Sequence, residues 1–364
     1  MMKNLAHYSL TAFILFLFLA TICFPQAVYQ GAMQGLETWA YHLVPSLLPF
    51  FIIAELFISG GLVRYLGFCL EPVMRPLFRL PGEAALAVVL GFTSGFPMGA
   101  LLTASLYEQQ LCTKEEASRL VAFTNNASPL FLLIAVPLTM LKQPQWGVLL
   151  LLSHYGANLI LGILLGIFSY KLHPYQTYSH QIHHQYSTNV PPLTLLHFPQ
   201  MLTNAIQKGL KNIFSIGGFV LFFSILLALG NNIFPFLAGF LTPLLEMTLG
   251  SNYIAEQNLS PTLKLMLISF VVGWSGLSIQ MQVLGILTPL EIPYHFYLLC
   301  RPLQGILAAL LAGSLYTFAP VLTPVGVEFT LFHAQFFTPY FFPSCAFIFL
   351  ICSLPLGLLK KRKK

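Results

Sequence analysis

The sequence predicts an all-α polytopic membrane protein of roughly eight to ten transmembrane segments, several of them broken or re-entrant, built as an inverted repeat. Three observations carry that prediction. The 364 residues are 57% hydrophobic and only 8% charged, whereas a soluble protein carries about 25% charged residues. The apolar runs are long enough for hydrocarbon, which takes about 20 residues per helix. Several runs are interrupted by glycine, hydroxyl, amide and proline residues, most clearly at Gly91-Phe92-Thr93-Ser94-Gly95-Phe96-Pro97. Hydrocarbon offers no water to N–H and C=O groups freed by a break, so such a break must be buried in protein or line a wet cavity.

The net charge of +6 does not signal nucleic acid, because five basic residues form the tail Lys360-Lys361-Arg362-Lys363-Lys364 and most others flank apolar runs. Flanking Lys and Arg set topology, and a basic tail is drawn to anionic headgroups, so the bilayer is the expected partner. The six cysteines are scattered, without a C-x-x-C pair, and read as small apolar residues of membrane helices.

Taken in order, Tyr8 to Cys23 is the first apolar run. Phe24-Pro25-Gln26-Ala27 is a poor small-residue cleavage site, so an uncleaved helix is expected. Gln30 to Tyr41 reads as amphipathic and interfacial, and Leu43 to Gly60 as a second hydrophobic segment with Pro45 and Pro49 near its start. In the stretch 61–83, Arg64, Arg75 and Arg79 outnumber Glu71 and Glu83, which places it on the cytoplasmic side. Ala84 to Tyr107 contains the first break and is expected to dip in and return as a hairpin. After the polar stretch 108–119, Leu120 to Leu141 is interrupted by Thr124-Asn125-Asn126-Ala127-Ser128-Pro129. Trp146 to Tyr170 is a clean span. Residues 171–210 are polar and hold His173, His180, His183, His184 and His197. Histidine tracts can bind metal, but no cysteine or carboxylate completes a site here, so a solvated cytoplasmic linker between two halves is expected.

In the second half, Ile213 to Leu229 is a helix, 231–260 is mixed, and Leu263 to Leu287 is broken at Gly273-Trp274-Ser275-Gly276-Leu277-Ser278. Tyr297 to Tyr316 is a helix containing Arg301-Pro302, and 327–358 is apolar with Pro339 and Pro343. The expected organisation is therefore 1–40, an N-terminal helix and interfacial segment; 41–170, a first repeat; 171–210, the linker; 211–358, a second repeat with C-terminal helices; and 359–364, the basic tail. Leu70-Glu71-Pro72-Val73 pairs with Leu241-Thr242-Pro243-Leu244, and the Gly91 break pairs with the Gly273 break. One span per later segment would leave the basic tail outside, against the positive-inside rule. An extra hairpin within 318–343 would repair the count.

Breaks of this kind make sites. A half-helix starting inside the membrane aims unpaired N–H groups and a positive dipole end at whatever lies before it, which suits carboxylate or phosphate. Ser128 before Pro129 reads as an N-cap with proline in the first turn, and Pro97 can start a second half-helix. Around these ends Thr93, Ser94, Ser275 and Ser278 supply hydroxyls. Asn125, Asn126, Gln280 and Gln282 supply amides, and Gly95 and Gly276 allow close approach. Arg301 is the one arginine inside an expected span of the second half. A charge there is either an anion ligand or paired within the protein. No carboxylate is expected within the broken segments, which favours an anionic or neutral polar substrate over a cation pathway. Glu55 and Glu108, near span ends, are relay candidates or surface groups. No enzyme, cofactor or metal is expected: H-E-x-x-H, G-x-S-x-G and P-loop motifs are missing, and all 11 acidic residues are Glu.

The runs Gly91 to Ala100, Leu106-Tyr107-Glu108-Gln109, Lys114 to Leu120 and Phe123 to Pro129 resemble the YlbJ family of sporulation integral membrane proteins. That family falls in the wider group with the "Gate" or nucleoside-recognition domain, shared with concentrative nucleoside transporters and FeoB iron transporters. The likeness is strong over 40–170 and looser over 210–316. It implies a protein of endospore-forming Firmicutes in the outer forespore membrane that moves dipicolinic acid, an aromatic dicarboxylate, toward the forespore for maturation and cortex formation. Other sporulation membrane proteins or a second copy of the chain are the implied macromolecular partners. Many relatives carry a lysine where this chain has Leu101, so this chain would rely more on Arg301 and helix dipoles, or take a different substrate. Two rival readings stay open: a nucleoside or nucleobase transporter, and a non-transporting spore-envelope assembly protein.

Overall fold

The computed structural model describes residues 2–172 and 197–322. Every regular element among them is helical. The tail, the apolar stretch 327–358, the postulated 318–343 hairpin beyond 322 and His173 to His184 all lie outside the described residues.

Helix α1 (Met2–Cys23) is followed at 101° by α2 (Pro25–Glu37). The segment expected at the interface does not stand apart from the bundle. Helix α2 runs along α9 (Phe198–Ile233) and buries Ala27, Gly31 and Gly35, a stripe of small residues four apart. Small residues let membrane helices approach closely: a Cβ on Gly31 would sit 2.8 Å from the Ser224 carbonyl oxygen. A π-helical turn, Thr38–Leu43, leads into α3 (Val44–Ser59). Helix α4 (Leu62–Phe78) folds back at 86° to α3, with Gly61 left-handed at the corner. Helix α9 starts well before Ile213, so the end of the predicted linker is helix.

The remaining elements repeat one order twice. In the first pass, α5 (Ala85–Ser94) and α6 (Met98–Glu108) pack as a hairpin. Helix α7 (Lys114–Thr124) then breaks and resumes as a π-helix, Phe131–Met140, and α8 (Gly147–Leu172) is continuous. In the second pass, α10 (Ala238–Leu245) and α11 (Met247–Glu256) form the hairpin, α12 (Pro261–Trp274) and α13 (Gly276–Leu287) the broken helix, and α14 (His295–Leu322) the continuous one. Cross-contacts are reciprocal: α6 packs on α13, and α11 packs on the 131–140 helix. Such exchange is what a two-fold relation between halves gives.

This order corrects the sequence pairing by one element. The Gly273 break matches Asn125–Ser128, not Gly91–Pro97. The counterpart of the first hairpin tip is Glu246, between α10 and α11. Arg301-Pro302 does not interrupt α14. Pro302, eighth in the helix, forfeits one bond to the preceding turn without ending the helix.

Among the described residues four helices are long and apolar enough to cross a membrane, or six if each bent pair is one span. The expected count of eight to ten also included short pieces: Gly82–Ser94, Phe131–Met140 and Pro235–Leu245 are apolar but too short to cross. The chain is an all-α, multi-pass integral membrane protein with broken and re-entrant segments.

Candidate functional site

Each break is held by its own chemistry. At the first hairpin tip Gly95 takes φ +95° and ψ 176°, a region open to glycine almost alone. A Cβ there would lie 3.0 Å from the Ser128 Cβ, so the tip also meets the second break. At that break Ser128 caps the resumed helix, its Oγ accepting from Phe131 N at 3.3 Å. Asn125 ties the breaks together. Its Oδ1 accepts from Ala100 N at 3.0 Å, and its Nδ2 donates to Val121 O at 3.1 Å. Asn126 Nδ2 donates to Phe123 O at 3.2 Å.

The ragged end of α7 is finished by the two continuous helices. From α14, Arg301 donates to Ala122 O at 2.6 Å and Asn125 O at 3.1 Å, with its guanidinium 5.0 Å from the Tyr297 ring centroid. From α8, His154 Nε2 accepts from Ala127 N at 3.1 Å. The Tyr155 hydroxyl donates to Ala127 O and Phe92 O. A cation at a helix C-terminus also meets the negative end of the dipole. Arg301 is fully buried and belongs to the framework, the second of the two roles open to it from sequence.

At the second broken helix Ser275 is left-handed, φ 67°, and Gly276 follows at φ 74°. The Ser275 hydroxyl donates to Trp274 O at 2.6 Å, and Gln280 Nε2 donates to the same carbonyl at 2.9 Å. Gly276 lies against the second hairpin tip, where a Cβ would come 2.9 Å from Leu245 O. At that tip the Glu246 carboxylate caps α11, accepting from Leu249 N at 2.6 Å.

All four resumed helices present their N-terminal ends to one cavity of about 180 Å³. Ser94 and Gly95 line it ahead of α6, Ser128 and Phe131 at the 131–140 helix, Glu246 and Thr248 at α11, and Ser278 and Gln282 at α13. Gln34 and Thr38 close one side, and Ser224 of α9 another. The Ser94 hydroxyl is buried and has no hydrogen-bond partner.

Of the twelve residues singled out from sequence, Ser94, Gly95, Ser128, Ser278 and Gln282 line this cavity. Asn125, Asn126, Ser275, Gly276, Gln280 and Arg301 build its walls from behind. Thr93 faces out, its hydroxyl donating to its own helix at Val89 O. Sequence reasoning missed Glu246, which lies outside the broken segments read from the sequence and brings a carboxylate to the cavity from a further hairpin tip. It also missed His154 and Tyr155 inside a supposedly clean span. The available signal was the one the membrane always gives: an ionisable side chain in an apolar run needs a reason. Glu55 and Glu108 meet Lys208 instead, at 3.1 Å and 3.9 Å, outside the cavity lining.

Paired hairpins and paired broken helices around a central cavity define a repeat-built, multi-pass helical membrane protein. The Gate family, described as nucleoside recognition, matches residues 40–143, from the end of the 38–43 turn through the Phe131–Met140 helix. The sporulation integral membrane protein YlbJ of Bacillus subtilis is 34% identical over 341 residues, 85% of this chain and 83% of that one. The chain therefore belongs to the YlbJ family of sporulation integral membrane proteins. An uncharacterized protein of Alkalihalophilus pseudofirmus is 34% identical over 116 residues, 31% of this chain and 25% of that one. No solved structure matches.

Proposed function

We propose that the protein is a transporter, not an enzyme, for a small carboxylate, and that dipicolinate carried across the outer forespore membrane during sporulation is its substrate. The observation that carries this reading is the convergence of four half-helix N-termini on one cavity beside the unpartnered Ser94 hydroxyl. Positive dipole ends directed at one cavity suit an anion. The neutral serines and Gln282 add orienting contacts. The cavity is sized for a small solute and is smaller than the roughly 300–1,000 Å³ typical of drug-sized ligands. Movement of the hairpins relative to the two-fold-related half would expose the site alternately, as in repeat-built carriers.

The nucleoside reading gains from one observation. Glu246 places a carboxylate in the cavity, where ribose hydroxyls can be bound, and the Gate match points the same way. Uptake of labelled dipicolinate into proteoliposomes, with excess unlabelled dipicolinate or uridine as competitor, separates the two. Dipicolinate uptake blocked by dipicolinate and indifferent to uridine supports the carboxylate reading. Uridine uptake without dipicolinate uptake overturns it. A spore-envelope assembly role without transport predicts neither flux.

A further inference from the structure

Glu246 is out of place in a cradle for anions. It is the one residue with a titratable side chain among the twenty that line the cavity. Every wall facing it is neutral: Gln34 from α2, Ser94 from α5, Ser128 before the 131–140 helix, Ser224 from α9, and Ser278 and Gln282 from α13. Its bonds go to the start of α11, at Leu249 N and to Thr248. A carboxylate entering this space meets a second carboxylate with no cation lining the cavity to compensate. Two like charges sharing a small site are not both retained: one takes a proton.

We propose that Glu246 is the proton-coupling group of the transport cycle, so that the protein carries its anionic substrate together with one proton. This rests on the carboxylate-transport reading above. On loading, the Glu246 carboxylate takes a proton from hydronium on the entry side and water is left. On release the carboxyl returns the proton to water on the far side. Only an O–H bond forms and breaks. The protonated carboxyl keeps its carbonyl oxygen on Leu249 N and turns its O–H from a repulsive charge into a donor toward the substrate. Because binding raises the proton affinity of Glu246, affinity is greatest at low pH. It weakens by about tenfold per pH unit between the proton affinities of the free and loaded states.

The test uses wild-type and Glu246→Gln protein in potential-clamped proteoliposomes with a trapped pH dye, and protein-free vesicles as the control for passive entry of the free acid. An inward dipicolinate gradient acidifies the lumen in wild type. Whatever dipicolinate flux remains in Glu246→Gln runs without acidification. In parallel, calorimetry of dipicolinate binding in buffers of different ionisation heat shows about one proton taken up by wild type and none by the variant. Dipicolinate flux in wild type without proton movement overturns this inference and leaves the transport reading standing. Acidification that persists in Glu246→Gln overturns it too. Failure of wild type to move or bind dipicolinate overturns both. If the variant does not fold, the wild-type dye and calorimetric results alone decide.

Discussion

Replacing Arg301 separates the two roles an intramembrane arginine can have here. Its guanidinium donates to Ala122 O and Asn125 O at the end of α7 and is not among the cavity-lining residues. Arg301→Met keeps the apolar stem but strips both donors from carbonyls that no water reaches. Hydrogen bonds from a charged donor contribute about 1.5–3 kcal/mol each, so two give a loss of roughly 3–6 kcal/mol. At about 2.1 cal/mol/K of unfolding entropy per residue this lowers the melting temperature by roughly 4–8 °C. Arg301→Lys has one compact donor group in place of a fork and is expected between wild type and Arg301→Met. The assay is thermal unfolding in detergent, with and without dipicolinate. The shift must appear without ligand, because the guanidinium serves the empty protein. An Arg301→Met protein as stable as wild type, with only its dipicolinate affinity reduced, refutes the framework role and returns Arg301 to the site.

Gly95→Ala places a side chain at φ +95° and 3.0 Å from the Ser128 Cβ, and strained positions of this kind cost about 1–3 kcal/mol. Thermal unfolding reads that loss, and uptake falls because the tip shifts. His154→Leu leaves Ala127 N without its acceptor at 3.1 Å, a penalty of about 1–3 kcal/mol by the same assay. Lys208→Met, at a partly exposed ion pair with Glu55, changes stability by less than about 1 kcal/mol. In the loop between α6 and α7, burial first, and then the charges of Glu116 and Glu83, push the Cys112 thiol up. The thiolate is the reactive form, so Cys112 stays unmodified by N-ethylmaleimide at mildly alkaline pH until the protein is denatured, as read by peptide mass.

Three of the four breaks were legible in the sequence because they are written in glycine, hydroxyl, amide and proline, residues that apolar helices avoid. Gly91–Pro97, Thr124–Pro129 and Gly273–Ser278 each prove to end one helix and begin another. The fourth, at Glu246, has no such spelling: Leu244-Leu245-Glu246-Met247 breaks because the glutamate caps α11 rather than because the backbone is permissive. Missing it shifted the repeat pairing by one element and hid the carboxylate of the cavity. Which polar residue faces the cavity and which holds the wall was also out of reach. Ser94 and Thr93 are neighbours, yet one lines the cavity and the other turns outward to its own helix. The bonds that hold the site are non-local, Asn125 to Ala100 across 25 residues and Arg301 to Asn125 across 176. Local pattern carries no record of such tertiary contacts.

The central claim is that the cavity beside Ser278 is where substrate passes. Ser278 lines it from the first turn of α13, and Ser278→Leu fills space there while leaving the framework bonds of Asn125, Arg301 and His154 untouched. The most direct measurement is the initial rate of labelled dipicolinate uptake into proteoliposomes holding equal amounts of folded wild type or Ser278→Leu. The account predicts uptake by wild type and its loss, by tenfold or more, in the variant. Equal uptake by the two proteins would contradict it.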